Sequence, residues 1–251
     1  MSDVAIAARG IQVRFGPFVA NDDVHLEVPV GQRRVLIGPN GAGKSTLFNA
    51  LAGQLRPSKG SVELMGRDVT KVPAYRRARM GLGRTFQINN LFDGLTVRQN
   101  VEITLASQSS SRKVFWRDLG SIPGIRAKSE KLLDAWEFSA IADLPVADLA
   151  YGQQRVMEIV LAMSTEPHVL LLDEPTAGLA PVDAARLTRL VAQLPRDITI
   201  IMIEHDMDVA FALADRVTVL HQGKVLADDV PEKIAVDESV LQVYLGDSTD
   251  A

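Results

Sequence analysis

Gly38-Pro39-Asn40-Gly41-Ala42-Gly43-Lys44-Ser45 constrains the fold of this chain more than any other stretch. It fits the phosphate-binding pattern G-x-x-x-x-G-K-[ST] at every fixed position, and its flanks supply the context that the pattern needs. Val35-Leu36-Ile37 lead in as a short apolar strand, and Leu47, Phe48, Leu51 and Leu55 follow at helical spacing. Strand, glycine loop and helix in that order aim a helix N-terminus, worth about half a positive charge, at one point. Glycines let successive backbone N–H groups turn inward there, where a Cβ would block the approach of a phosphate. Lys44 is then within reach of terminal phosphates, and the Ser45 hydroxyl, followed by Thr46, is placed for Mg²⁺. A glycine turn with an incidental lysine would not come with both flanking elements.

A pair of acids narrows the chemistry. Val169-Leu170-Leu171-Leu172-Asp173-Glu174-Pro175 reads as an apolar strand ending in two carboxylates. A strand apolar at every position is buried on both faces, as in a parallel sheet. Open α/β sheets bind their ligands at the carboxyl ends of such strands. Asp173 is thereby placed to hold Mg²⁺, directly or through water, and Glu174 to polarise a water attacking a γ-phosphate. Two solvated acids at a strand end are the alternative, and so apolar a strand beside a phosphate loop argues against it. Ile201-Met202-Ile203-Glu204-His205-Asp206 repeats the pattern of an apolar strand ending in polar groups. His205 at that strand mouth can contact a γ-phosphate or orient the water, although a lone histidine is more often structural.

Composition sets the outer limits. The chain has 251 residues, enough for one large domain or a core with a smaller subdomain. With 27 basic against 31 acidic residues it is mildly acidic, which argues against nucleic acid as a partner. Cysteine is absent, so disulfides and thiolate metal sites are excluded and a reducing cytoplasm suits the chain. The opening MSDVAIAARG lacks a basic region followed by an apolar stretch, so no secretory signal is expected there. No apolar run approaches the ~20 residues that span a bilayer. Any membrane role is therefore expected to come through a partner.

Along the chain, residues 4–30 read as strands, with Ile11, Val13 and Phe15 alternating before a Gly16-Pro17 turn and Val24, Leu26 and Val28 after it. Residues 61–65 with Gly66 suggest a further strand and turn, and Pro73 a short helix that Gly81 stops. Thr96-Val97-Arg98-Gln99 has capping-box spacing, so a helix is expected from Thr96. Residues 107–128 read as loop-rich, 128–143 as a helix with Leu132, Leu133 and Trp136 on one side, and another helix starts near Gly152. The α/β pattern then resumes: strands at 168–172 and 199–203, helices at 183–194 and 206–214, and a hairpin around His221-Gln222-Gly223. Leu241, Tyr244 and Leu245 suit a last short helix, with residues 247–251 as a loose tail.

With these motifs in order, the chain resembles the nucleotide-binding subunits of ABC transporters over nearly its whole length, from about residue 4 to 246. Its most specific marker is Leu149-Ala150-Tyr151-Gly152-Gln153-Gln154-Arg155, at the family's signature position shortly before the Asp173 strand. The resemblance implies an α/β fold: a P-loop NTPase core with a predominantly parallel sheet, an N-terminal antiparallel β subdomain and an inserted helical subdomain. Its boundaries would be 1–87 and 165–229 for core and β subdomain, 88–164 for the helical part, and 230–251 for a C-terminal helix and tail. It also implies ATP and Mg²⁺ as cofactors. Ala150, Tyr151, Gly152 and Gln153 would meet the γ-phosphate of ATP bound to the opposite subunit, where a helix N-terminus gives physical sense to the contact. Phe15 matches the aromatic that stacks on adenine, a core strand aromatic being the alternative. Gln87, in Arg84-Thr85-Phe86-Gln87, matches the glutamine that touches Mg²⁺ or the lytic water and senses the membrane partner, with a solvent-exposed loop amide as the plainer reading. His205 matches the switch histidine.

Two stretches depart from the family pattern. Ala150 and Tyr151 replace the usual signature serine and first glycine, and Ala180 stands where the loop after Asp173-Glu174 usually carries aspartate. Both bear on communication between subunits rather than on ATP binding. The stretches Leu-Ala-Tyr-Gly-Gln-Gln-Arg, Arg-Thr-Phe-Gln, Ala-Gly-Leu-Ala-Pro and the closing Val-Tyr-Leu-Gly are similar to the branched-chain amino-acid importers. The implied protein is the ATP-hydrolysing subunit of a bacterial importer, cytoplasmic and peripheral on the inner face of the cell membrane. Its partners would be integral membrane permease subunits, a second ATPase subunit (identical or paralogous) and, indirectly, a solute-binding protein, with no nucleic acid. An exporter ATPase, a urea, amide or lipopolysaccharide transporter, a nucleic-acid or ribosome-acting ABC ATPase, and a P-loop kinase or GTPase are the alternatives.

Overall fold

The computed structural model describes residues 4–85, 91–108 and 124–246. The chain opens with β1 (Val4–Phe15) and β2 (Phe18–Pro29), an antiparallel hairpin turning at Gly16-Pro17. β3 (Arg33–Ile37) follows, then the glycine loop and α1 (Lys44–Ala52). β4 (Lys59–Leu64) and β5 (Arg67–Asp68) come next, joined by a turn whose Met65 and Gly66 both have positive φ. α2 (Ala74–Ala78) starts after Pro73 and ends before Gly81, and β6 (Leu82–Arg84) follows it as a short strand that no alternation announces.

Three helices follow. α3 (Val97–Gln108) carries the expected capping box: the Gln99 N–H donates to Thr96 Oγ1 at 3.2 Å, and the Thr96 N–H to Gln99 Oε1 at 2.9 Å. α4 (Ile125–Ala135) corrects two expectations, since it starts inside the stretch read as loop and ends well short of residue 143. Trp136 leaves helical geometry and Glu137 has φ 61°, so the chain turns and buries Phe138 completely. α5 (Tyr151–Met163) begins one residue before Gly152.

The α/β pattern then runs β7 (Val169–Asp173), α6 (Pro181–Ala192), β8 (Thr199–Ile203) and α7 (Met207–Leu213). α6 starts two residues earlier than the periodicity suggests, because Pro181 takes the first helical position, where no N–H is needed. Asp206 caps α7 by accepting from the N–H groups of Asp208 and Val209. β9 (Arg216–His221) and β10 (Lys224–Asp229) form the expected hairpin, and α8 (Pro231–Ile234) and α9 (Glu238–Gly246) close the described chain.

Two sheets result. The antiparallel one has the order β2-β1-β4-β5; the six-stranded one has the order β10-β9-β3-β8-β7-β6 and is parallel except for the edge strand β10. The central strands are buried on both faces and serve two cores. Val35, Ile37, Leu170, Leu172, Ile200 and Met202 join one apolar cluster with residues of α5, α6 and α7. Their alternate neighbours Leu36, Val169, Leu171, Ile201 and Ile203 join the other, with Leu47, Phe48 and Leu51 of α1 and the inner faces of β1, β2 and β4. α1 is thus wedged between the two sheets, and the loop that precedes it is held from both sides.

Candidate functional site

β3, β8 and β7 are successive neighbours, all parallel, so their carboxyl ends open along one edge of the sheet. The glycine loop leaves the first of these ends. Gly38, Gly41 and Gly43 have φ of 144°, 76° and 97°. A Cβ at Gly38 would lie 2.1 Å from the Leu220 carbonyl oxygen, and one at Gly43 2.5 Å from that of Ala20, whereas a Cβ at Gly41 meets nothing within 4 Å. The glycines at 38 and 43 are therefore required by packing as well as by conformation. Hydrogen bonds clamp the loop from outside: the Gly223 N–H donates to Ala42 O (3.0 Å) and Asn21 Nδ2 to Gly43 O (3.2 Å). The buried Lys44 curls over the loop, its Nζ donating to Gly38 O at 2.7 Å and Pro39 O at 2.9 Å. Burial lowers the pKa of this ammonium, and the negative charge of Glu174 partly offsets the effect. Asn40, Gly41 and Ser45 face solvent, and Pro39 and Thr46 are half-buried.

At the next strand ends stand the acids. Asp173 is buried, and its Oδ2 accepts from Arg84 Nη2 at 3.1 Å. Its Oδ1 is buried without a hydrogen-bond partner among the described residues. Burial raises its pKa; the Arg84 guanidinium opposes that, and Glu174 adds to it. Glu174 has φ 47°, a conformation that non-glycine residues seldom adopt and that clusters at functional sites. Its N–H donates to Ile203 O at 3.0 Å, and its Oε1 lies 2.9 Å from His205 Nε2. Carboxylate and imidazole therefore face each other across the ends of β7 and β8, and His205 is 45% exposed. Glu204, one residue earlier, is buried and accepts at Oε1 from both the N–H (3.2 Å) and Oγ1 (2.8 Å) of Thr176. Burial pushes its pKa up, against those hydrogen bonds.

The signature stretch sits elsewhere. Ala150, just before α5, is extended, and its N–H donates to Gln153 Oε1 at 2.9 Å; alanine offers no acceptor in return. Tyr151 is exposed; its hydroxyl donates to Ala177 O at 3.4 Å and accepts from Arg155 Nε at 3.0 Å. A Cβ on Gly152 would stand 2.9 Å from Asp183 Cγ. The segment thus leans on residues 177–183. Among the described residues no hydrogen bond or ion pair joins it to the Gly38–Ser45 loop. Phe15 ends β1 paired with Phe18 and is 52% exposed, so it is no core aromatic. Gln87 lies outside the described residues. Arg84, Asn21 and Glu204 hold Asp173, Gly43 and Thr176 in place without standing out in the sequence. For Arg84 and Glu204 a charge at the end of an apolar strand is the only local signal, and Asn21, inside β2, has none.

Fold and strand-end site define the class: a P-loop nucleotide hydrolase. The family model described as ABC transporter matches residues 21–177. The chain is 37% identical over 257 aligned positions to the high-affinity branched-chain amino acid transport ATP-binding protein LivG of Salmonella typhimurium, covering 99% of this chain and 100% of that one. It is also 37% identical to the corresponding protein BraF of Pseudomonas aeruginosa, again covering 99% of this chain and 100% of the relative. Among solved structures, the ADP conformation of an ATP-binding cassette of an ABC transporter superposes with a TM-score of 0.84 at 30% identity, covering 98% of this chain and 100% of that one. The chain belongs to the ABC transporter family, and as one of its ATP-binding cassettes it binds and hydrolyses ATP. ATPase subunits of this family work with membrane permeases and form dimers. Among the described residues no helix is long and apolar enough to cross a membrane.

Proposed function

We propose that this chain powers a bacterial importer of branched-chain amino acids from the inner face of the cell membrane. The observation that carries the catalytic reading is the Glu174–His205 pair, 2.9 Å apart at the strand ends beside the Lys44 loop. The relatives named for branched-chain amino acid transport, matched end to end, support the substrate class.

In this reading Gly38–Thr46 and Lys44 hold the phosphates of ATP, and Phe15 stacks on adenine from the exposed end of its strand. Glu174 takes the proton of the attacking water as general base, while His205 holds the carboxylate in place and contacts the γ-phosphate. The residues present also fit Mg²⁺. Asp173 keeps one buried carboxylate oxygen without a donor among the described residues, and Ser45 stands in the first turn of the adjacent helix. Among the described residues no cluster of three acids or histidines could hold a metal alone. One carboxylate and one hydroxyl match an ion that prefers one or two carboxylates plus substrate phosphates. Ser45 and Asp173, with Gln87, would hold it, and when bound it supplies positive charge against the β- and γ-phosphates.

Among the described residues no hydrogen bond or ion pair joins the partly exposed Ala150–Gln153 segment to its own chain's loop, which supports a site completed by a second subunit. Two chains, identical or paralogous, would pair head to tail over two ATP molecules and move the permease subunits, with a solute-binding protein acting from the far side. The division into residues 1–87 with 165–229, 88–164 and 230–251 belongs to this reading. The test is Glu174→Gln: ATP binding and dimerisation are retained while hydrolysis falls at least about 100-fold. Near-normal turnover would remove Glu174 from its role. Reconstituted with its permease and binding protein, the wild type should hydrolyse ATP faster when leucine is added and not when urea is; the reverse would reassign the solute.

A further inference from the structure

Arg84 has an arrangement that the reading above does not use. Its side chain is only 10% exposed, at the end of β6, and its two terminal nitrogens do all the bonding. Nη2 donates to Asp173 Oδ2 at 3.1 Å. Nη1 donates to Asn49 Oδ1 and to Gln54 Oε1, both at 2.8 Å. The guanidinium carbon lies 5.0 Å from the centroid of the Phe48 ring. Nε, by contrast, is buried with no hydrogen-bond partner among the described residues.

Asn49 stands four residues after Ser45 on α1, so the two project from the same helix face. Arg84 therefore spans from the helix that carries Ser45 to the carboxylate of Asp173. It engages Oδ2 and leaves Oδ1 unpartnered. An arginine placed only to fill space and satisfy its own charge would not leave Nε unmade at the expense of a buried donor. The orientation is set instead by what the terminal nitrogens must reach, and the planar fork of a guanidinium can hold both ends at once.

We propose that Arg84 is a positioning residue that fixes the separation and orientation of Asp173 relative to Ser45, and so tunes the affinity for Mg²⁺. The inference rests on the assignment of Ser45 and Asp173 to the metal. Groups that orient a metal's ligands typically change its affinity by about 10–100-fold when removed.

The test uses the full chain. Binding of a fluorescent ATP analogue is measured with EDTA and across a Mg²⁺ titration, and Mn²⁺ bound to the protein–nucleotide complex is followed by electron paramagnetic resonance. Arg84→Met should raise the metal concentration for half-saturation about 10–100-fold and change the Mn²⁺ spectrum, with metal-free nucleotide affinity unchanged. Arg84→Lys, which keeps the charge but cannot span Asn49, Gln54 and Asp173 together, should fall between. Asn49→Ala, which cuts only the helix end of the strut, should shift the metal requirement in the same direction by less, and serves if Arg84→Met does not fold. Equal weakening with and without metal would make Arg84 a structural residue and overturn the proposal, as would an unchanged metal requirement. A wild type whose hydrolysis does not need a divalent cation would instead remove the metal reading itself.

Discussion

The Gly38–Ser45 loop and the Ala150–Gln153 segment both stand at helix N-termini, yet they are built in opposite ways. The loop is finished within one chain. Its glycines fit against the Leu220 and Ala20 carbonyls, Gly223 and Asn21 hydrogen-bond its backbone, and Lys44 is satisfied by two loop carbonyls. The signature segment is largely solvent-facing, the side chain of its N-cap alanine offers no acceptor, and its support comes from Tyr151, Arg155 and the 177–183 stretch. A binding element that is clamped on all sides holds one geometry before its ligand arrives. One that is open on one side has its geometry completed by whatever closes over it.

The largest effect that would break this contrast is at Gly38. Gly38→Ala puts a Cβ 2.1 Å from the Leu220 carbonyl oxygen and must displace β9 or the loop. A cost of about 3 kcal/mol corresponds to roughly 100-fold weaker binding of an ATP analogue. Gly41→Ala meets open space and bears only its φ of 76°, so it should cost about 1–2 kcal/mol. Equal losses in fluorescence titrations of the two variants would mean that conformation and not clamping shapes the loop.

Next in size is the far end of α1. Arg77 is 1% exposed and donates to the carbonyls of Ala50, Leu51 and Val72, ending the helix with a positive charge where its dipole is negative. Burial lowers its pKa to about 10, so it stays charged at neutral pH. Arg77→Met strands those carbonyls and should lower stability by about 3 kcal/mol in urea unfolding, with ATP affinity little changed if the loop is held by its own clamps.

The segment that supports the signature is tested through Glu204. Its folded-state pKa lies above the ordinary glutamate value, so the native state binds the proton more tightly than the unfolded one. Stability must then fall as pH rises from the ordinary glutamate range through the raised value. Glu204→Gln keeps an acceptor for Thr176 and removes the titration. Its Tm should gain on wild type as pH rises above the ordinary glutamate range, by on the order of 2–4 °C. A Tm difference independent of pH would contradict this. The smallest change is Ala150→Ser, which supplies the missing acceptor at the start of α5. It should add about 0.5–1 kcal/mol, read as a higher midpoint in urea, and an unchanged midpoint would show the segment to be less open than its hydrogen bonds indicate.

Much of this was legible in the sequence because the signals are local. Glycine spacing, apolar strands ending in acids and the Thr96–Gln99 box each encode their element within a few residues. α4 was mislaid because Leu132, Leu133 and Trp136 keep helical spacing up to a turn that Glu137 makes with positive φ, a conformation with no side-chain signature in glutamate. β6 has no signal in the sequence, since three residues are too few to show alternation. In the site, the identities of Lys44, Asp173, Glu174 and His205 were readable, and their supports were not. Arg84 meets Asp173 across 89 positions and Glu204 meets Thr176 across 28, distances over which no periodicity speaks.

The alternation of β3, β7 and β8 between two apolar clusters has a dynamic consequence. Successive residues of one strand belong to different cores, so neither core can melt while the other keeps its strands. Slowly exchanging amides in native-state hydrogen exchange should concentrate in these strands, at Val35–Ile37, Leu170–Leu172 and Ile200–Ile203, and open only with global unfolding. Hydrolysis would then be performed at the rim of the least yielding part of the molecule. Motion is left to segments, such as Ala150–Gln153, that do not share those strands.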